Sequence, residues 1–283
     1  AGRRAWTVPP TLEFLLEAAR NPDRPYLLIL DEMNLAHVER YFADVLSGIE
    51  SRAPVLPDLE QTPEGWFPRR EGGRIPLPRN VFIVGTVNVD ETTYLFSPKV
   101  LDRANTIEFR VTSSAFPDDP AAARKPGACS PGPADLIAGF LAIAVDDAWH
   151  QRWVTNATET VAALRGLHEG LAEHAHEFGH RTFYEGIRLM GLLQAAGVDA
   201  LDDRLDVFVL QKILPRLHGA RRKLEPVLRG LGAFTFDRRP LKDGASFEFQ
   251  TTTATPGRLP RSHRKLQRMM GALRANQFAS FSD

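Results

Sequence analysis

Two short, uninterrupted apolar runs, each stopping abruptly in polar residues, constrain this chain more than anything else in it. Tyr26-Leu27-Leu28-Ile29-Leu30 runs straight into Asp31-Glu32, and Val81-Phe82-Ile83-Val84 runs into Gly85-Thr86-Val87-Asn88. Neither run alternates apolar with polar, so each predicts a strand buried on both faces, as in a parallel sheet. Parallel strands deliver the side chains at their carboxyl ends to a crevice where ligands bind. Asp31, Glu32 and Asn88 therefore become the first residues to read for chemistry.

Around these runs the periodicity is helical. Thr11–Arg20 reads as an amphipathic helix stopped by Asn21-Pro22-Asp23, and Leu35, Val38, Phe42, Val45, Leu46 and Ile49 recur at helical spacing. Ser97–Ala104 predicts one short helix and Thr106–Arg110 a third strand. Residues 51–80, rich in Pro, Gly and charge, predict an exposed inserted loop or hairpin. Pro117–Pro133, with five prolines and no periodicity, predicts a linker. Beyond it, Leu136–Trp149, Val161–Phe178, Phe183–Ala196 and Leu205–Leu217 show apolar spacings of three and four, with Asn156 and Asp199 as N-cap candidates. The expected organisation is an α/β part over 1–116, the linker 117–133, a helical domain over 134–230 and a C-terminal segment over 231–283.

Composition removes several classes. Thirty-five basic residues balance 35 acidic ones, which excludes a uniformly basic nucleic-acid coater or an acidic tail protein. Cys129 is the single cysteine, which rules out a disulfide scaffold or a cysteine zinc cluster and suits a cytoplasmic location. The longest aliphatic run, Leu27–Leu30, is far too short to span a bilayer.

Asp31-Glu32 at the end of a hydrophobic strand is the Walker B arrangement of nucleotide hydrolases. An Asp there holds hydrated Mg²⁺, a hard cation that keeps its waters, and the following Glu orients and deprotonates the attacking water. A strand followed by an acidic helix cap gives the same letters by chance. Asn88 suits hydrogen bonding to the attacking water or the terminal phosphate, and equally suits a turn. Arg103, in Leu101-Asp102-Arg103-Ala104, suits either a finger reaching a neighbouring subunit's nucleotide or a solvated surface.

Together, Pro25–Ala36, Val38–Phe42, Leu46–Glu50, Val81–Asn88 and Phe96–Ala104 resemble the AAA+ fold, and specifically its McrB-type branch. In the helical half, Phe178-Gly179-His180-Arg181 is similar to the family's lid motif bearing the sensor-2 arginine, and Leu210–Gly219 is similar to the stretch that closes the lid. The resemblance runs from Trp6 to about Leu228. It implies an AAA+ P-loop-NTPase-like α/β core followed by an all-helical lid, and ATP or GTP as substrate with Mg²⁺. It implies assembly into a ring, expected to be hexameric, working on DNA with a McrC-like nuclease in restriction or antiviral defence, with no membrane role. It assigns Asp31 to Mg²⁺ through water, Glu32 as base, Asn88 to positioning the water, Arg181 to reporting on the nucleotide, and Arg103 to acting on the neighbouring subunit's nucleotide.

Two departures qualify it. A P-loop needs Gly-Lys-Ser/Thr to cradle the phosphates, and none of the six lysines follows a glycine. The expectation is that an upstream segment or another chain carries it, with a non-hydrolysing AAA+ scaffold as the alternative. Val87-Asn88-Val89-Asp90-Glu91 also departs from the Met-Asn-x-x-Asp of the GTP-selective enzymes, leaving ATP and GTP both open.

Other patterns compete. His176-Glu177-Phe178-Gly179-His180 matches H-E-x-x-H, a zinc hydrolase signature when it lies on one helix, although a histidine-rich exposed face gives the same match. Arg258–Arg274 carries six cations and no acid, which fits phosphate contacts, a solvated helix face or a subunit contact. Trp66 and Phe67 stand in the polar insert as candidates for an interface, and the resemblance implies that pore-loop and partner contacts draw on residues 51–80.

Overall fold

The computed structural model describes residues 5–88, 96–110, 132–144, 157–237, 239–249 and 257–283. In chain order the elements are α1 (Pro10–Arg20), β1 (Tyr26–Leu30), α2 (Val38–Tyr41), α3 (Ala43–Ser51), β2 (Pro54–Pro57), β3 (Leu59–Thr62), β4 (Gly65–Pro68), β5 (Arg74–Pro76), β6 (Val81–Gly85), α4 (Pro98–Leu101) and α5 (Ala134–Ala144). There follow α6 (Thr158–Ala172), α7 (His180–Ala195), α8 (Leu201–Phe208), β7 (Gly219–Ala220), α9 (Arg221–Asp237), α10 (Pro260–Asn276) and β8 (Phe278–Ala279). The chain divides into two compact units: Ala1–Met33 with Ser47–Thr86 and Ile107–Asp146, and Asn34–Leu46 with Val87–Thr106 and Asp147–Asp283. Among the described residues no helix is long and apolar enough to cross a membrane.

The first unit is built on the two runs that dominate the sequence. β1 and β6 pair in parallel, from Tyr26 opposite Val81 to Leu30 opposite Gly85. The start of this register is set by Asn80, whose carbonyl accepts from Tyr26 N at 2.8 Å while its buried side-chain amide shares its two N–H groups among the carbonyls of Ala18, Asn21 and Arg24. One amide thus closes the carboxyl end of α1, whose last carbonyls have no intrahelical partner, and places the strand beside it. The strands are not covered on both faces, however: Leu27 and Ile29 are 56% and 59% exposed, and Val84 is also exposed.

Three expectations change here. The insert 51–80 is a nested pair of hairpins, β2 against β5 outside and β3 against β4 inside. It is not simply an excursion into solvent, because Leu56, Leu59 and Trp66 are buried; Leu59 and Trp66 pack with Leu16 of α1, and the Arg20 guanidinium stacks over the Trp66 ring. A few large apolar side chains on one face are enough to bury a hairpin whose average composition is polar. Trp66 is therefore a core residue and not an exposed interface aromatic. Thr106–Arg110 forms no ladder; Thr106 N donates instead to Gln211 O, and Phe109 is 90% exposed. An extended segment becomes a strand only when its backbone pairs with another strand's edge, and among the described residues this segment forms no such pairing.

The second unit is a helical assembly around Leu164, Leu167, Leu171, Phe178, Met190, Leu205, Phe208, Leu224, Leu228, Leu266 and Met269. Helix α8 runs on through a π-helical turn, Val209–Ile213, and a 3-10 turn, Leu214–Arg216. The proposed N-cap Asp199 is replaced by Ala200, which carries no side-chain cap, and Asn156 lies outside the described residues. Position 230, the expected domain boundary, falls inside α9, and Leu241, Leu259, Leu266, Met270 and Leu273 beyond it pack into the same core. The basic stretch forms α10, which buries Ser262, His263, Lys265, Leu266, Met269, Met270 and Leu273. Its free N-terminal amides are met at long range: the Asp206 carboxylate accepts from Arg261 N at 2.9 Å and Ser262 N at 2.8 Å. Arg258 pairs with Asp202 and Arg274 with Glu248, so these cations serve the fold. The expected linker is described only at its last two residues, and Cys129 lies outside the described residues.

Two measurable consequences follow. A Cβ on Gly230 would lie 2.8 Å from Leu241 O, where α9 meets the 241–244 turn backbone to backbone. Gly230→Ala should therefore destabilise by about 1–3 kcal/mol through overpacking, although alanine is the better helix former by about 1 kcal/mol. A rise in the urea midpoint would show that the close approach is not limiting.

His263 is buried among Phe236, Phe247 and Phe249, with Nδ1 at 2.9 Å from Thr235 Oγ1, and burial pushes its pKa down despite the Gly232 carbonyl. The unfolded chain takes up a proton near pH 6.5, whereas folded His263 resists until lower pH. Stability should be fully present above that pH and fall as pH drops through the folded pKa. His263→Phe should flatten this slope in pH-dependent denaturant melts, and an unchanged slope would assign it elsewhere.

Candidate functional site

The carboxyl ends of β1 and β6 carry the first cluster. Because Leu30 is opposite Gly85, the parallel register carries on to place Asp31 beside Thr86. Thr86 Oγ1 donates a short hydrogen bond to Asp31 Oδ1 and accepts from Glu32 N at 2.8 Å. Thr86 N donates to Leu30 O and Thr86 O accepts from Met33 N, both at 2.9 Å. One threonine thereby fastens four consecutive residues, Leu30 to Met33. Its importance was not evident from the sequence, where it reads as one polar residue among several; the signal available was its offset from the end of the apolar run.

Glu32 sits at φ 49°, in the left-handed region. For a residue with a Cβ this conformation costs roughly 1–2 kcal/mol, and such strain gathers at functional sites. The bonds from Thr86 to both neighbours of the turn hold Glu32 in it. Asp31 and Glu32 are both exposed at the strand end.

The remaining expected site residues belong to the helical unit. Asn88 is exposed, and its carbonyl accepts at 3.1 Å from the side-chain amide of Asn34, which is 3% exposed and whose Oδ1 has no partner among the described residues. Val89, Asp90 and Glu91 lie outside the described residues. Arg103 follows α4; its Nε donates to Leu46 O at 3.1 Å and its Nη1 to Lys99 O. Burial lowers the pKa of Arg103, the nearby charge of Arg181 lowers it further, and Glu185 opposes both. Arg181 lies in the first turn of α7. The structure thus brings Arg103 and Arg181 into one electrostatic neighbourhood. Sequence reading had treated them separately and had missed Glu185 and Lys212 beside them.

The zinc pattern is overturned by the path of the backbone. H-E-x-x-H requires one continuous helix to set two imidazoles a turn apart. Here α6 ends at Ala172, α7 begins at His180, and Gly179 is the N-cap between them. His176, Glu177 and His180 therefore span an interhelical turn, and Phe178 is a core residue. The His176 pKa is depressed, first by burial, then by the nearby His174, His218 and Arg216. Among the described residues no group of three or more His, Cys, Asp or Glu is placed to hold a metal ion.

A substitution pair separates the latch from the strain. Thr86→Val removes both Oγ1 bonds and should destabilise the sheet unit by about 1–3 kcal/mol. Glu32→Gly, which relieves the left-handed φ, should leave its stability unchanged or raised. Denaturant melts showing Glu32→Gly as the more damaging of the two would refute the strained-turn description.

A family model described as a domain of unknown function (DUF8727) matches residues 141–278, just under half of the chain. The match takes in Arg181, Glu185 and Lys212 but not Asp31, Glu32, Asn88 or Arg103. No curated protein and no solved structure matches the chain.

Proposed function

We propose that the chain is the motor part of an AAA+ nucleoside-triphosphatase of the McrB type, hydrolysing ATP or GTP in a ring that acts on DNA with a partner nuclease. The observation that carries this reading is the Asp31-Glu32 turn at the carboxyl ends of two adjacent parallel strands, with Glu32 in a strained conformation latched by Thr86. A structural loop has no need of two consecutive exposed carboxylates in that geometry.

Asp31 fits Mg²⁺, which is commonly held by one or two carboxylates, several waters and substrate phosphates and not by an all-protein cage. When bound, the ion neutralises charge on the phosphates. Glu32 takes the proton of the attacking water as its oxygen bonds to the terminal phosphorus and the bond to the leaving phosphate oxygen breaks. Asn88 orients that water, and its backbone is steadied by Asn34. Arg181 contacts the nucleotide from the helical unit, and Arg103 stabilises charge on the transferring phosphoryl group of a neighbouring subunit.

The phosphate cradle is the part these residues do not supply, since no Gly-Lys pair occurs in the sequence. The open face of β1 and β6, with Leu27, Ile29 and Val84 exposed, favours a further element packing there. In this reading that element bears the Gly-Lys-Ser/Thr loop. The scaffold reading, favoured by the same missing pair, differs in expecting no turnover under any condition.

The deciding assay measures nucleotide hydrolysis by the chain alone and with a polypeptide carrying the P-loop segment. The chain alone should be inactive and the complete assembly active. Glu32→Gln should keep nucleotide binding while nearly abolishing turnover, and Arg103→Ala should lower turnover by about 10³–10⁵ with little change in affinity. Mixing the two variants should partly restore activity. Turnover by the chain alone, or equal loss of binding and turnover in Glu32→Gln, would overturn the assignment.

A further inference from the structure

We infer that Lys212 is the positioning residue for Arg103, and that with Glu185 it ties the Arg103 turn to the helix that carries Arg181. The Lys212 side chain is 1% exposed, yet it is an ammonium. Its Nζ donates to Asp102 O at 3.1 Å, Ala104 O at 2.9 Å and Glu185 Oε2 at 2.7 Å. An ammonium has three donors, and all three are used. Two of the acceptors are the carbonyls on either side of Arg103.

Neighbouring residues strengthen the grip. Gln211 O accepts from Thr106 N at 3.1 Å, and the Arg216 guanidinium pairs with Asp102 at 3.5 Å. Residues 211–216 thus hold the chain at 102, 104 and 106. The backbone around Arg103 is fixed by Lys212, while the guanidinium is aimed by Leu46 O through Nε. Lys212 lies inside the π-helical turn Val209–Ile213, an irregularity that recurs at functional sites. Its countercharge completes the connection. Glu185 is four residues after Arg181 on α7, so the two share a helix face.

Burying an ammonium is costly unless it is fully paired, and a hydrophobic side chain would fill a core position at less risk. The charge is explained if it must hold two carbonyls and a carboxylate at fixed separation. Arg103 and Arg181 then keep a constant spacing despite their mutual repulsion, which the depressed Arg103 pKa also reflects. The catalytic consequence rests on the reading above that Arg103 acts on a nucleotide; the positioning does not.

The test has two arms. In the 283-residue chain with ¹⁵N-labelled arginine, the Arg103 Nε–H signal should be protected by its bond to Leu46 O. Lys212→Met should accelerate its exchange by about tenfold or more while leaving Arg229 Nε–H, bonded to Glu225 in the same unit, unchanged. Should Lys212→Met not fold, Glu185→Gln keeps a hydrogen bond to Nζ and should produce a smaller shift in the same direction. In the hydrolysing assembly, Lys212→Met should lower kcat with KM within about threefold, and adding it to Arg103→Ala should cost nothing further. An unmoved Arg103 signal, an equal change at Arg229, or rate losses that multiply would each overturn the positioning role. If the assembly shows no turnover at all, the nucleotide reading fails, and the Arg103 signal alone decides the inference.

Discussion

A parallel strand pair five residues long is weak unless something holds both of its ends, and in this chain two side chains do so. Asn80 sets the entry, binding three carbonyls of the preceding helix and turn while its own carbonyl receives Tyr26 N. Thr86 sets the exit, fastening Leu30 through Met33. The position of the two carboxylates follows from these polar clamps as much as from the apolar strands. A buried amide whose two N–H groups serve such carbonyls is worth most where no water can replace it.

The helical unit uses the same economy on a larger scale. Lys212, Asp206 and Arg204 are buried polar residues, and each meets backbone groups at a chain turn or helix end: the carbonyls around Arg103, the amides opening α10, and the carbonyl of Asp199. Leaving one such group unpaired costs about 1–3 kcal/mol, which is large against a domain's net stability of about 5–15 kcal/mol. The aromatic cage around His263 and the close approach of Gly230 to Leu241 show how tightly the rest is packed.

The residues expected to carry the chemistry fall in both units. Asp31 and Glu32 take their geometry from the sheet unit, while Asn88, Arg103 and Arg181 take theirs from the helical unit. Asn88 and residues 102–106 follow a strand in sequence but are held in structure by Asn34, Leu46, Gln211, Lys212 and Arg216. A residue read only from its neighbours in sequence would be assigned to the wrong unit.

The sequence by itself determined the two parallel strands β1 and β6 and most helices, since unbroken apolar runs and spacings of three and four are local signals of the backbone period. It also marked Asp31, Glu32, Asn88 and Arg103 as candidates by residue type and position, and Arg181 through the family resemblance. It could not show that Thr86 latches the carboxylates, because that depends on a register between residues 55 apart. Nor could it show that the polar insert buries Trp66, that His176 and His180 are separated by a helix break, or that the basic tail is a core helix. Composition averages over faces, and only packing reveals which face is inward. Lys212 is the clearest case: in sequence it is one more cation on a helix, and only the tertiary structure brings Asp102, Ala104 and Glu185 to its three donors.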